Sequence, residues 1–338
     1  MTETIRRPAA RNYIGGEWRE SARGETYEKH NPWRPAQVTG VYPASDAEDA
    51  KAAIEAAREA FPAWAPLPAP ARAAFFTKAA TAIEARAEQI AQDMTAEMGK
   101  PLRESRMEAL RAAIILRYAA GEAFRPAGEM YEPSVPNQRL YTLRRPLGAV
   151  GLITPWNFPV AIPVWKMAPA LIYGNTVVLK LGYEAPHTGL HIAGCFAEAG
   201  LPAGVLNVLT GSGSKVGAEI VSNPGVRAIS FTGSVPVGRS VRNEATARDC
   251  RVQLELGGHN PLIVAADAEL DRAVEATYAG AFWSAGQKCT ATRRILVQDS
   301  VYDAFRGKLL ARVAAGKVGD PADAETEVGP VVNEGAME

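Results

Sequence analysis

Cysteine is scarce in this chain, with three in 338 residues. Cys195, Cys250 and Cys289 form a sparse and odd-numbered set, which argues against a disulfide framework and favours a reducing compartment. The sequence therefore predicts a cytoplasmic protein in which each cysteine serves either packing or chemistry.

Net charge is also absent, because 37 basic residues balance 37 acidic ones. Without a long-range field, neither nucleic acid nor an anionic membrane surface is an expected partner. No run of about 18 apolar residues occurs, and the opening MTETIRRPAARNYIGGEW lacks the apolar stretch of a signal peptide. We expect a small-molecule ligand and no metal.

The first part of the chain has a helical pattern. Ser45 and Glu48 have the spacing of a capping box at the start of one helix. The range 70–98 predicts one long helix ended by Gly99, and another helix is expected from Glu104. Prolines in 131–145 indicate an extended arm or hairpin able to pair with another chain.

From residue 148 the pattern changes to short apolar runs separated by helical segments. Strands are predicted at 149–153, 176–179, 205–209 and 226–231, with helices at 163–173, 186–199 and 214–221. This alternation predicts an α/β fold with a doubly wound, Rossmann-like parallel sheet. Its ligands should lie beyond the carboxyl ends of the strands, at Thr154, Lys180, Gly211 and Gly233.

Two glycine loops follow predicted strands. GSGSKVG at 211–217, with Gly213 and Gly217, is one residue longer than a dinucleotide fingerprint. GSVPVG at 233–238 would direct backbone amides towards a pyrophosphate at a helix N-terminus. Taken alone, either loop is more often a tight turn.

Three side chains are candidates for chemistry. Cys289 lies among polar residues beside Lys288, conditions that favour a thiolate nucleophile, whereas a lone cysteine is usually inert. Glu255 stands in an apolar stretch, where desolvation would raise its pKa for general-base work, unless it is an exposed strand residue. Asn157 is either an oxyanion donor or an ordinary turn asparagine.

Several segments together resemble the signatures of the aldehyde dehydrogenase superfamily. They are PWNFP at 155–159, WKMAPAL at 165–171, GNTVVLK at 174–180, FTGS at 231–234, LELGG at 254–258 and GQKC at 286–289. The resemblance runs from YIGGEW at 13–18 to VGPV at 328–331, in the family's order.

The resemblance implies roles for these residues. Cys289 would attack the aldehyde, Asn157 and the Cys289 amide would hold the oxyanion, and Glu255 would activate water for thioester hydrolysis. A set of residues would bind NAD or NADP, namely Thr154, Pro155, Trp156, Lys166, Lys180, Gly213, Gly217, Phe231, Thr232, Gly233, Ser234, Gly238, Leu256 and Gly257. Glu255 is more typical of the hydrolytic branch than of the CoA-acylating branch.

The resemblance also implies a domain organisation. We expect a cofactor-binding domain from 1–124 and 146–255, with a helical N-terminal section, an oligomerisation arm or hairpin at 125–145, and a catalytic domain at 256–338. The chain stops before the family's second glutamate motif and oligomerisation tail. We therefore expect a C-terminally truncated protein with an incomplete catalytic domain, unstable or inactive alone, whose full-length form is a homodimer or homotetramer.

Departures from the family pattern leave cofactor and substrate open. Leu181, Gly182 and Tyr183 stand where members often have a ribose-binding glutamate, so we expect NADP to be tolerated. The wording of these motifs, residue by residue, looks most similar to that of semialdehyde dehydrogenases such as the 2,5-dioxopentanoate (2-oxoglutarate semialdehyde) group. A cation for an acidic substrate would be Arg111, Arg117 or Arg293. The alternatives are a cysteine-dependent thiol hydrolase and an inactive cofactor-binding fragment.

Overall fold

The structure, a computed structural model, describes residues 10–337. Residues 1–9 and Glu338, which the expected domain ranges include, lie outside the described residues. The helices are α1 (Ala47–Trp64), α2 (Ala69–Ala85), α3 (Ala87–Met98), α4 (Leu102–Gly121), α5 (Ala161–Ile172), α6 (Pro186–Glu198), α7 (Ala218–Ser222), α8 (Val235–Thr246), α9 (Leu270–Phe282) and α10 (Asp299–Ala315).

The strands of the same range form one large sheet and three two-stranded ones. They are β1 (Asn12–Ile14), β2 (Glu17–Arg19), β3 (Thr26–His30), β4 (Val38–Pro43), β5 (Met130–Tyr131), β6 (Leu140–Tyr141), β7 (Ala149–Ile153), β8 (Thr176–Lys180), β9 (Leu206–Leu209), β10 (Val226–Gly233), β11 (Arg251–Leu256), β12 (Asn260–Val264) and β13 (Thr292–Val297). The predicted strands at 149–153, 176–179, 205–209 and 226–231 are all present, within one or two residues.

The large sheet confirms the predicted doubly wound topology. Its order is β11-β10-β7-β8-β9-β1-β2, parallel from β11 to β9, with β1 and β2 added antiparallel at one edge. The strand order reverses at β7, because β8 and β9 extend to one side and β10 and β11 to the other. A crevice is therefore expected beyond the carboxyl ends of β7 and β10.

Helices cover both faces of the sheet, so its central strands are buried throughout. In β8, Val177 and Leu179 pack into the core that contains α2, α5 and α6, whereas Val178 packs into the core under α1 and α7. The alternation of β-strand side chains divides one strand between two cores. This rigid frame fixes the loops at the strand ends.

The start of one helix and the end of another differ from the sequence prediction. The first helix is capped by Asp46, whose carboxylate accepts from Glu48 N at 2.8 Å, and not by Ser45. Ser45 is buried, and its Oγ accepts from Asn12 Nδ2 at 2.8 Å. The predicted helix at 70–98 is two helices, because Arg86 leaves helical geometry (φ −108°, ψ 6°).

The predicted arm is a short antiparallel hairpin of β5 and β6 with exposed apolar side chains. After β11, strands β12 and β13 pair in parallel and pack against α9 and α10 around a small core of Val264, Val274 and Phe305. Between residues 10 and 337, no helix is both long enough and apolar enough to cross a lipid bilayer.

Candidate active site

The crevice at the strand ends is a cavity of about 810 Å³. The ends of β7, β10 and β11 line one side, and the loop between α9 and β13 lines the other. Many of the residues singled out from the sequence meet there, namely Pro155, Trp156, Asn157, Thr232, Gly233, Ser234, Leu256, Gly257 and Cys289. Residues more than 130 positions apart in the chain thus share one cavity.

The loop that carries Cys289 has an unusual backbone. Ser284, Ala285 and Gly286 follow one another with φ of 55°, 54° and 69°, in the left-handed region that costs energy for the two non-glycine residues. At Gly286 a Cβ would lie 2.9 Å from Ala281 O, so only glycine fits. The loop leaves Cys289 exposed, whereas Cys195 and Cys250 are buried.

Contacts from elsewhere in the chain hold this loop in place. The buried carboxylate of Glu104, on α4, accepts from Ser284 N at 3.0 Å and from Ser284 Oγ at 2.6 Å. Asn260 Nδ2 donates to Cys289 O at 2.7 Å. The two bonds to the Glu104 carboxylate offset the backbone strain, because hydrogen bonds to a charged acceptor are each worth about 1.5–3 kcal/mol.

The side chain of Asn157 is hydrogen-bonded to the loop that carries Cys289. Its Nδ2 donates to Gln287 O at 2.9 Å, and the amide keeps a second N–H. Its Oδ1 is buried and has no hydrogen-bond partner among residues 10–337. The side chain thus stands beside the Cys289 loop with spare hydrogen-bonding capacity.

A buried ion pair positions the Asn157 loop. Lys100 and Glu108 are paired, with side chains 1% and 3% exposed, and Lys100 Nζ also donates to Asn157 O at 2.7 Å. The other oxygen of Glu108 accepts from the backbone N–H groups of Val160 and Ala161, at 3.0 Å each, at the start of α5.

Glu104 and Glu108 lie four residues apart on α4, so one helix face holds both loops of the cavity. Sequence reasoning missed both. The available signal was that spacing on a predicted helix, but two glutamates four apart are usually solvated.

Glu255 does not line the cavity of Cys289. It lines a neighbouring cavity of about 490 Å³ together with Lys166, Ser230 and Gln253. Its side chain is exposed, and Oε1 accepts from Gln253 Nε2 at 2.6 Å. The burial expected from the sequence is not found, because β11 is an edge strand whose 251, 253 and 255 positions all face outward.

Lys166 belongs to the same neighbouring cavity and not to the one that contains Cys289. Its Nζ donates to Ser230 Oγ at 2.6 Å and to Gln253 Oε1 at 3.3 Å. Burial lowers the pKa of this lysine to about 8, although the charge of Glu255 acts in the opposite direction.

Three features fit a dinucleotide at the strand ends. Lys180, at the end of β8, is buried, and its ammonium has no hydrogen bond or ion pair among residues 10–337. Burial lowers its pKa to about 8. Thr232 Oγ1 is buried and also lacks a partner in that range, and a Cβ on Gly257 would meet no atom within 4 Å. Unpaired polar groups beside open space suit a polar ligand.

The remaining predicted cofactor residues lie around this region without lining the cavity. Thr154 is buried between β7 and β8, and Phe231 is buried beneath Gly233. Gly238 lets α8 approach Leu256, since a Cβ would lie 2.5 Å from Leu256 Cδ2. Gly213 and Gly217 bound a single π-helical turn after β9.

The structure separates the three candidate arginines. Arg293 lines the cavity of Cys289, whereas Arg111 lines a different cavity of about 300 Å³ beside Trp165 and Trp283. Arg117 is exposed and paired with Glu84.

Comparison with known proteins shows which family the chain resembles. The family model described as "Aldehyde dehydrogenase family" matches residues 18–338. The alpha-ketoglutaric semialdehyde dehydrogenase of Bacillus subtilis is 46% identical over 327 residues, covering 97% of this chain and 67% of the relative.

Two solved structures are similar over nearly all of this chain. An NADP-dependent enzyme of E. coli has a TM-score of 0.95 at 39% identity, covering 97% of this chain and 68% of that one. Betaine aldehyde dehydrogenase of Staphylococcus aureus, solved with NAD+, has a TM-score of 0.94 at 36% identity, covering 97% and 65%. The chain thus spans about two thirds of the length of the proteins it matches.

Proposed function

This chain belongs to the aldehyde dehydrogenase family, and we propose that it oxidises an acidic semialdehyde to the carboxylic acid through Cys289. The family is NAD(P)-dependent, so the cofactor is NAD or NADP. The observation that carries the proposal is the meeting of Cys289 and Asn157 in one cavity, with Asn157 bonded to the Cys289 loop.

The proposed reaction begins with attack of the Cys289 thiolate on the aldehyde carbon, which forms a thiohemiacetal. The free N–H of Asn157 and the Cys289 amide donate to the oxyanion. When bound, the nicotinamide supplies the acceptor for the hydride that leaves this carbon. Collapse gives a thioester on Cys289, and water then releases the acid and the thiol.

Glu255 is the proposed base for the hydrolytic step. Thr232, its partner in the register of β10 and β11, and Leu256, its chain neighbour, both line the cavity of Cys289. A rotation of the exposed Glu255 side chain away from Gln253 would bring the carboxylate towards that cavity. Glu255→Gln should form the thioester and one equivalent of reduced cofactor but not turn over, and steady turnover by this variant would contradict the role.

A distal carboxylate on the substrate would be bound by a cation. The relative from Bacillus subtilis is named for a semialdehyde of this kind, and Arg293 is the candidate arginine that lines the cavity of Cys289. Arg293→Gln should raise KM for 2-oxoglutarate semialdehyde much more than for an uncharged aldehyde of the same length. Equal effects on both substrates would remove Arg293 from this role.

Both dinucleotides are proposed to be accepted. Tyr183, which stands near the position of the family's ribose glutamate, stacks on Tyr27 with ring centroids 4.3 Å apart, and Glu184 pairs with Lys29. Residues 181–183 carry no carboxylate that would repel a 2′-phosphate, and Lys180 would attract one. Steady-state kcat/KM values should differ between NAD and NADP by less than several orders of magnitude.

The main test is aldehyde-dependent reduction of NAD(P), followed by the absorbance of reduced nicotinamide. Cys289→Ser should abolish it, whereas Cys250→Ser, which changes a buried thiol, is the matched control and should retain it. Release of acid from an ester without any dinucleotide, and no reduction of cofactor from aldehyde, would favour a thiol hydrolase instead.

Oligomerisation and location complete the proposal. The hairpin of β5 and β6 exposes Met130, Tyr131, Leu140 and Tyr141, which suits pairing between copies of the chain. Light scattering should report a dimer or tetramer that Met130→Glu with Leu140→Glu disrupts. A cytoplasmic location is proposed from the scarcity of cysteine.

A further inference from the structure

A cluster of metal-ligating side chains lies between α3 and α6. Asp93 is on α3, and His187 and His191, four residues apart, share one face of α6. Asp93 Oδ2 lies 2.8 Å from His191 Nε2 and 3.5 Å from His187 Nε2. Both imidazoles therefore present the same nitrogen to one carboxylate oxygen.

We propose that Asp93, His187 and His191 bind a divalent transition metal such as Zn²⁺. Two neutral imidazoles and a carboxylate form a common ligand set for this class of ion. The three ligand atoms all lie within 4.8 Å of one another. A metal at about 2.1 Å from each ligand needs them roughly 3–3.5 Å apart. The 2.8 Å contact must therefore open slightly, and the two histidine nitrogens must come to the same separation through small side-chain rotations.

The surroundings suit such a site. His187 and His191 line a cavity of about 630 Å³, which leaves room for water as a further ligand. Arg86 and Arg11 also line it, but each is paired with a carboxylate, Glu198 and Glu20 respectively. No residue lining this cavity lines the cavity of Cys289, so the site is separate from the catalytic one.

Neighbouring groups fix the first turn of α6, where His187 lies. The buried Glu97, one turn along α3 from Asp93, accepts from His187 N at 2.8 Å and from Thr188 Oγ1 at 2.8 Å. The α6 backbone is thereby held against α3 before any metal binds. A metal here would cross-link α3 to α6 and stabilise the part of the fold that contains the large sheet.

The test uses the full chain without a polyhistidine tag, in a Cys289→Ser background that removes the exposed thiol. Co²⁺ is titrated while its visible absorption is followed, and Zn²⁺ binding is measured by calorimetry. We expect one ion per chain and a higher unfolding midpoint with Zn²⁺. His187→Gln combined with His191→Gln should weaken binding at least about tenfold, whereas His259→Gln, which changes an exposed histidine, should not.

Asp93→Asn gives a second variant. It keeps a carbonyl oxygen towards the histidines but removes the anionic ligand, so binding should weaken while circular dichroism stays unchanged. Absence of a Co²⁺ spectrum, or equal Zn²⁺ affinity in the double histidine variant and in His259→Gln, would overturn the proposal. The cluster would then be hydrogen-bonded without binding a metal.

Discussion

The first region of the chain, up to the end of β11 at Leu256, is packed very differently from the second region, which follows it. Strands β7, β8 and β9 are buried at every position, whereas β12 and β13 expose Ile263 (73%) and Leu296 (53%). The core around β12 and β13 has three buried residues, against two large clusters around the main sheet. Parallel strands are normally covered on both faces, so the second region is the less stabilised one.

Cys289, the proposed nucleophile, nevertheless belongs to this less stabilised region. Cys289 precedes β13, but its loop is held by Glu104 and Asn157 from the first region. Leu102 N also donates to Pro321 O at 2.9 Å across the same boundary. The well-packed region therefore sets the geometry of a residue that it does not contain.

The largest expected difference between the regions is in core stability. Phe76→Ala should lower the free energy of unfolding by about 3–5 kcal/mol, because Phe76 is fully buried and packs edge-on against Phe196. Ile263→Ala should cost under about 1 kcal/mol, because that side chain is already exposed. Urea unfolding followed by tryptophan fluorescence measures both, and equal losses would contradict the comparison.

Lys180 should show a stability cost that depends on pH. Its pKa, lowered from 10.5 to about 8 by burial, corresponds to about 3 kcal/mol of destabilisation at neutral pH. The unfolded chain binds more protons between pH 8 and 10.5, so stability should rise with pH across that window.

Lys180→Met should therefore stabilise the protein at about pH 7 and gain much less at about pH 10, while dinucleotide binding is lost. Thermal unfolding at the two pH values measures the first effect, and fluorescence titration with NAD or NADP the second. Lys215→Met, at an exposed position, is the control. The same gain at both pH values would show that the ammonium is not the cause.

Glu104→Ala should loosen the Cys289 loop through loss of the two bonds to Ser284. We expect hydrogen exchange of the amides at 284–289 to accelerate by about 10- to 100-fold, and turnover to fall by a similar factor. Glu104→Gln should recover part of both, since its amide oxygen still accepts one bond. Unchanged exchange in Glu104→Ala would mean that the second region holds its own loop.

The smallest effect is expected at the surface of the first region. Glu88 pairs with Arg106 through two hydrogen bonds of 2.7 and 2.8 Å, and this pairing lowers the pKa of Glu88 to about 2. Both groups are exposed to solvent, which screens the pair. Glu88→Gln should leave the unfolding midpoint unchanged within error, and a marked loss would show that the pair carries more than a surface interaction.

The sequence by itself determined four parallel strands of the large sheet and singled out the exposed cysteine. Apolar runs bounded by glycine and proline predict β7 to β10, because a buried parallel strand needs apolar residues on both faces. The setting of Cys289 among polar residues, and the set of short motifs around it, distinguish it from the buried Cys195 and Cys250. These are local properties of the chain.

Only the tertiary structure decided which residues are buried by distant partners. Ser45 accepts a hydrogen bond from Asn12 and does not cap α1, which Asp46 caps instead. Arg86 ends α2 and pairs with Glu198 on α6. Glu255 faces outward because β11 is the edge of the sheet. Burial and pairing between distant residues depend on which elements become neighbours, and the periodicity of a single segment does not contain that information.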